Sequence, residues 1–383
     1  MGFPEGSESM GLSQSDVAPQ HGAAEGAESL QHAGAGGRAR GPHPLPLFLA
    51  HATRACAGDR ERLARILAGL RRYQEAPPAP ARALRAVVAQ TGNVTLRGHG
   101  GAGRDHGSAG PVVVVVPSLI NPPSVLDLAP GNSLLDGLAA RGLQVFSVDW
   151  GVTEPLGLAE LVEDRLVPLL AGLGAPVSLA GYCLGGTLAV AAAALLGDRV
   201  RRLALLATPW HFGGYEAAAR AAMADWWAGA GPLATGLGAL PMELLQPAFW
   251  ELDSAALAAK YERFADLPDG PAADAFVTLE DWSNTGQPLS LAAARGLAED
   301  LFRDDRPGRG AWCVGGAGVD AAALRLPILD IIAGRDRIVP PGAALSMCGI
   351  GTALPLDAGH VGMVVGGRAP QILWDPLARW LRE

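Results

Sequence analysis

The hexapeptide Gly181-Tyr182-Cys183-Leu184-Gly185-Gly186 constrains the fold of this chain more than any other feature. It joins the short apolar stretch Val177 to Ala180 to the apolar stretch Thr187 to Leu196. The run reads as strand, sharp turn and helix. Glycines flank Cys183 because such a turn forces its central residue into a strained backbone, where neighbouring side chains would collide. The turn pushes Sγ out at the carboxyl end of a sheet. It also sets the next helix N-terminus beneath the sulfur, which favours a thiolate. The Leu184 N–H then points where an oxyanion would form. The competing reading is a buried structural cysteine in a Gly-rich turn.

A nucleophile at such a turn needs a base, and the base needs an acid to orient it. These follow in the order nucleophile, acid, histidine. Asp336 comes just after the apolar run Ile328 to Ala333, in Gly334-Arg335-Asp336-Arg337-Ile338-Val339-Pro340. His360 follows another apolar run, Ala353 to Leu356, in Ala358-Gly359-His360-Val361-Gly362. Both fall at carboxyl ends of expected strands, where α/β sheets build their sites. Cys183, Asp336 and His360 are therefore the expected catalytic triad. A second oxyanion donor is expected in the loop Val116-Pro117-Ser118-Leu119-Ile120-Asn121, at the N–H of Leu119 or Ile120. An ordinary strand-to-loop turn is the alternative there.

The remaining pattern supplies a frame for these residues. Asp59 to Tyr73 is amphipathic, with Leu63, Ile66, Leu67 and Leu70 on one face. From Val87 onward strands alternate with helices. Val112 to Val116 is an unbroken β-branched run, as in a strand buried on both faces. Strands are also expected at Leu143 to Val148 and Leu203 to Ala207, and helices at Ser133 to Arg141, Leu158 to Leu170 and Thr187 to Leu196. Such alternation implies a mostly parallel sheet with helices on both faces. Residues 209–309 break the rhythm and hold five of the nine tryptophans, Trp210, Trp226, Trp227, Trp250 and Trp282. They read as a largely helical cap inserted into the core, whose aromatics either form its own core or line a channel. The expected division is a disordered tail over 1–44, poor in large apolar residues, a helical segment over 45–86, an α/β core over 87–208 and 310–383, and the cap.

Composition excludes several classes. The net charge is −8, without a basic run, so no nucleic-acid partner is expected. His and Cys are scattered without ligand spacing, so no metal centre is expected. No glycine-rich dinucleotide fingerprint follows a strand, and no cofactor is expected. Four cysteines are too few for a disulfide framework, which fits a reducing cytoplasmic setting. Met1 to Pro44 lacks the basic start and apolar core of a secretory leader. Leu166 to Gly197 carries no charge and is long enough to span a bilayer. Pro168, Gly172, Gly174, Pro176, Gly181, Gly185 and Gly186 interrupt it, so no transmembrane segment is expected.

From Val87 to the C-terminus the chain resembles the polyhydroxyalkanoate synthases, members of the α/β-hydrolase superfamily. The resemblance rests on Pro117-Ser118-Leu119-Ile120-Asn121 with Leu126-Asp127-Leu128, Arg141 to Phe146, Asp149-Trp150-Gly151 and the Cys-containing box Gly181 to Thr187. Asp281-Trp282-Ser283-Asn284, Gly315-Gly316, Val319-Asp320, Asp336 before Ile338-Val339-Pro340 and Gly359-His360 follow in order. It implies an α/β-hydrolase fold in which Cys183 carries the acyl group, His360 is the base and Asp336 its partner. It implies a hydroxyacyl-coenzyme A substrate, a growing polyester chain, and a place at the surface of polyester granules. The length resembles the short catalytic subunits that work with an accessory subunit, or else a homodimer. The chain departs from the family in carrying Arg337 where a histidine commonly follows the acid. A synthase-like thioesterase or depolymerase, and a non-catalytic granule-binding protein, are the alternatives.

Overall fold

In a computed structural model of the chain, residues 40–80, 82–100, 110–252 and 254–383 are described, without the side chains of 251–255. The body considered below is Gly41–Glu383. The tail expected over 1–44 lies outside the described residues as far as position 39. Gly41 and Pro42 are buried.

Eight strands form the central sheet: β1 (Val87–Thr91), β2 (Val94–Gly98), β3 (Val112–Val116), β4 (Gln144–Asp149), β5 (Val177–Tyr182), β6 (Val200–Leu206), β7 (Ile328–Ala333) and β8 (Thr352–Leu356). Their order is β1-β2-β4-β3-β5-β6-β7-β8. The β1–β2 hairpin adds antiparallel strands at one edge, and the other six strands run parallel. Val113 to Val116 have no solvent exposure. Each such side chain removed from water contributes roughly 1.5–3 kcal/mol, which is why this run lies at the middle of the sheet. Register then carries the site: Val116 pairs with Gly181, so β3 and β5 end side by side.

The helix after the elbow begins earlier than residue pattern suggests. It is expected from Thr187 but spans Leu184–Leu196, directly after Cys183. Gly185 and Gly186 argue against a helix on propensity alone. Tertiary packing reverses that argument. A Cβ on Gly185 would lie 2.2 Å from the Val116 carbonyl oxygen, and one on Gly186 would lie 1.8 Å from Thr208 Oγ1. Helix and sheet approach so closely that only glycine fits.

Two helices precede the sheet, α1 (Leu45–Cys56) and α2 (Arg60–Glu75); the elbow helix is α3. The cap supplies α4 (Ala217–Leu237), α5 (Met242–Leu252), α6 (Ser254–Ala265) and α7 (Pro271–Ser283). The first two helices pack on the cap rather than on the sheet. Phe48, Ile66, Leu70 and Tyr73 share a separate apolar cluster with Trp250, Tyr261 and Phe264. The α2–α6 crossing is tight, since a Cβ on Gly69 would meet the Tyr261 carbonyl oxygen at 1.9 Å. Glu262 pairs with Arg62 and Arg65 at its edge. Among the described residues no helix is long and apolar enough to cross a membrane.

Candidate active site

The elbow puts Cys183 between β5 and α3 with φ 54° and ψ −132°. This is a positive-φ conformation that a side chain rarely adopts. It persists because both sides are pinned. The Cys183 N–H donates to the Leu206 carbonyl at 2.9 Å, and the Cys183 carbonyl accepts from the Gly186 N–H at 2.9 Å. A Cβ on Gly181 would lie 2.3 Å from Gly186 Cα, so the two backbones touch there.

Asp336 and His360 arrive from the loops after β7 and β8. His360 Nδ1 and Asp336 Oδ2 are 2.6 Å apart. The other carboxylate oxygen accepts from the Ile338 and Val339 N–H groups at 2.8 and 2.9 Å. The carboxylate is thus fixed in plane and buried. With Nδ1 on Asp336, Nε2 is the ring nitrogen left to face Cys183, which is near enough to raise the His360 pKa. The structure brings Cys183, Asp336 and His360 into one chain of contacts. Burial opposes charge on His360, but the Cys183 and Asp336 groups on either side outweigh it and push its pKa up to about 10. The value in the unfolded chain is near 6.5. The resulting stabilisation is therefore complete below about pH 6.5 and is lost as pH rises through about 10. Cys183→Ala removes two of the raising influences, and His360 should then titrate at lower pH. A ring-proton NMR titration checks this. An unchanged midpoint would show that Asp336 alone holds the proton.

Cys183 and His360 open into a cavity of about 200 Å³. One wall is the loop after β3, with Ser118, Ile120, Asn121 and Pro122. The opposite wall is the cap, with Met242, Gln246, Phe249, Trp250, Lys260 and Trp282; Pro42 also reaches it. Cys183 is covered, at 8% exposure. Of the three expected backbone donors, Leu184 opens the first turn of α3, where N–H groups lack intrahelical acceptors. The Ile120 N–H instead faces Ser118 Oγ at 3.3 Å. Ile120 lines the cavity, whereas Leu119 is half-buried against the core. Arg337 is exposed and lies outside the cavity wall.

Residue pattern alone does not single out Tyr182, although it stands inside the elbow motif. Its ring lies 5.1 Å from the His360 ring, and its hydroxyl donates to the His360 carbonyl at 3.3 Å. Burial holds the phenol well above its ordinary pKa, with the nearby Cys183 and Asp336 adding to the shift. Tyr182 is thus a neutral wall that orients the imidazole. Gln246 and Lys260 are likewise invisible in the sequence, because only the cap fold turns them towards the cavity. Away from the site, His99, Asp127 and Asp136 bring donor atoms within 4.8 Å of one another, a grouping their spacing does not suggest. Arg82 and Arg85 reach those carboxylates at 2.7 Å, so guanidinium already meets their charge.

Residues 158–366, more than half of the chain, match the α/β-hydrolase fold family. The chain is 28% identical over 287 residues to the poly(3-hydroxyalkanoate) polymerase subunit PhaC of Allochromatium vinosum, covering 71% of this chain and 80% of that one. It is 25% identical over 288 residues to the subunit of the same name from Haloferax mediterranei, covering 71% of this chain but only 58% of that longer one. The enol-lactonase structure from Burkholderia xenovorans LB400 aligns over 77% of this chain and 99% of its own, at 18% identity and a TM-score of 0.42. The chain belongs to the α/β-hydrolase fold family, and its resemblance within that family is to poly(3-hydroxyalkanoate) polymerase subunits.

Proposed function

We propose that this protein is an acyltransferase that joins 3-hydroxyacyl-coenzyme A units into a polyester, with Cys183 as nucleophile, His360 as base and Asp336 as its orienting acid. The observation that carries the proposal is the mostly apolar cavity in which the buried Cys183 and His360 meet cap aromatics. Similarity to polyester polymerase subunits supports the choice of substrate.

The steps follow from the contacts. The Cys183 thiolate attacks the thioester carbonyl, and the oxyanion rests on the Leu184 N–H and a backbone N–H of the Leu119–Ile120 loop. The carbon–sulfur bond to coenzyme A breaks as the tetrahedral centre collapses. The departing thiolate takes the proton of the His360 imidazolium. That transfer becomes favourable on acylation, because the Cys183 charge that raised the His360 pKa is gone while burial still opposes the cation. Neutral His360 then removes the proton from the hydroxyl of a second hydroxyacyl unit. The alkoxide attacks the acyl-enzyme, an ester bond forms, and Cys183 leaves as thiolate with its imidazolium restored. One thioester replaces another in the first half, so that exchange is close to isoenergetic.

Water is the competing nucleophile, present at ~55 M, whereas an oriented hydroxyl can act at about 10⁵ M or more. A dry pocket therefore decides the product. At about 200 Å³ the cavity is smaller than the roughly 300–1,000 Å³ of a typical ligand pocket. A coenzyme A thioester thus enters only when the cap opens or yields a channel. The proposal includes an accessory subunit or a second copy as partner, and work at the surface of the polyester granule.

The test is product analysis with 3-hydroxybutyryl-coenzyme A. The expected outcome is coenzyme A release with polymer. Free hydroxy acid alone identifies a thioesterase, and no turnover identifies a granule-binding protein. Phe249→Ala should shift the outcome several-fold from polymer towards free acid, because it opens the cavity wall to water. An unchanged product ratio would remove the cap from the explanation.

A further inference from the structure

The loop from Pro117 to Pro122 is held at each end by an indole N–H. Trp150, just past β4, donates to the Pro117 carbonyl at 3.0 Å. Trp282, in the last turn of α7, donates to the Pro122 carbonyl at 2.9 Å. The two anchors come from different parts of the fold. Trp150 belongs to the α/β core, and the start of the loop is pressed against the elbow helix there. The Val116 and Pro117 carbonyl oxygens lie 2.2 and 2.3 Å from where a Cβ on Gly185 would sit. Trp282 belongs to the cap. Its helix is secured by buried polar contacts: Glu280 accepts from the Tyr261 hydroxyl at 2.7 Å and pairs with Lys260 at 2.7 Å, and Asp281 accepts from the Tyr73 hydroxyl at 2.8 Å. Trp282 also stands between two cavities, lining that of Cys183 and a neighbouring one of about 360 Å³.

We infer that Trp282 is a positioning residue that couples the seating of the cap to the geometry of the loop carrying Leu119 and Ile120, the candidate oxyanion donors. The near end of the loop stays with the core whatever the cap does. Its far end keeps its place only while Trp282 is docked. When the cap lifts to admit substrate, the Pro122 carbonyl loses its donor and the loop relaxes. When the cap closes, the donor is set and water is excluded in the same movement. An acyl-enzyme is then reactive only in the dry state, where the hydroxyl of the next unit is the available nucleophile. The chemical consequence rests on the acyl-transfer reading above; the coupling itself is a statement about the loop.

Trp282→Phe tests it, because the ring wall remains and the N–H is lost. Hydrogen exchange at residues 118–121 should quicken in the variant. The kcat for coenzyme A release from 3-hydroxybutyryl-coenzyme A should fall by about tenfold or more, a share of the 10²–10³ that loss of a whole oxyanion donor costs. KM and the rate of Cys183 alkylation by iodoacetamide should stay within about twofold, since neither builds an oxyanion. Trp282→Gln, whose amide can donate to the Pro122 carbonyl, should recover part of the loss. Unchanged exchange at residues 118–121 in Trp282→Phe overturns the inference, as does an equal loss of kcat in both variants. If the unaltered protein releases no coenzyme A, acyl transfer fails as a reading and the exchange comparison alone decides the coupling.

Discussion

Cys183→Ala should lower coenzyme A release from 3-hydroxybutyryl-coenzyme A by about 10⁴-fold or more, as loss of a triad member does elsewhere. The melting temperature should stay within a few degrees. The size of the first effect follows from the absence of any substitute nucleophile at the elbow. Among the described residues the cavity wall holds no second cysteine, and its serines, Ser118 and Ser283, are outside the strained turn at Cys183. The second effect is small because the sulfur faces the cavity. The backbone at φ 54° is equally strained with either side chain, so the turn itself does not change. Retention of more than a tenth of the activity in the Ala variant would end the nucleophile assignment. A collapse of the melting temperature would leave it unsupported, and Cys183→Ser, nearly isosteric, would then carry the comparison.

The second large effect concerns the elbow glycines. Gly181→Ala places a Cβ 2.3 Å from Gly186 Cα and 2.8 Å from its nitrogen, and Gly185→Ala places one 2.2 Å from the Val116 carbonyl oxygen. Every obstacle is backbone, so no side chain can swing away. Each substitution should cost about 3 kcal/mol or more. At the 2–4 °C per kcal/mol of large domains, that lowers the melting temperature by roughly 6 °C or more. Activity should fall further than stability, because the clash in Gly185→Ala is with the root of the oxyanion loop. Gly229→Ala is the control. It sits on α4 with nothing within 4 Å of its Cβ, and should be neutral or stabilising by up to about 1 kcal/mol. Equal melting temperatures for Gly181→Ala and Gly229→Ala would show that the elbow is not the tight joint described.

The residues of the candidate site were legible in the sequence because each carries a local signature. A β-branched run reports a buried strand, and β3 and β7 span the residues those runs mark, Val112–Val116 and Ile328–Ala333. Paired glycines around Cys183 report a turn that excludes Cβ atoms. Asp336 and His360 stand just past strands, where side chains reach the carboxyl end of a sheet. These signatures arise from short-range sterics and from burial of a continuous stretch, and both are written in neighbouring residues.

What tertiary structure alone decided is which surfaces meet. Apolar faces are legible on α2 and in the cap, but burial is non-directional and does not name a partner. The sequence therefore cannot say that Phe48 and Tyr73 pack against Tyr261 rather than against the sheet. Nor can it say that Trp282 bonds the Pro122 carbonyl, 160 positions away. Gly185 and Gly186 show the same limit from the other side. Propensity places them outside a helix, and only contact with Val116 and Thr208 explains why they begin one. The residues of the candidate site carry local signatures and could be read. The enclosure of the site joins elements distant along the chain, and only the folded packing determines it.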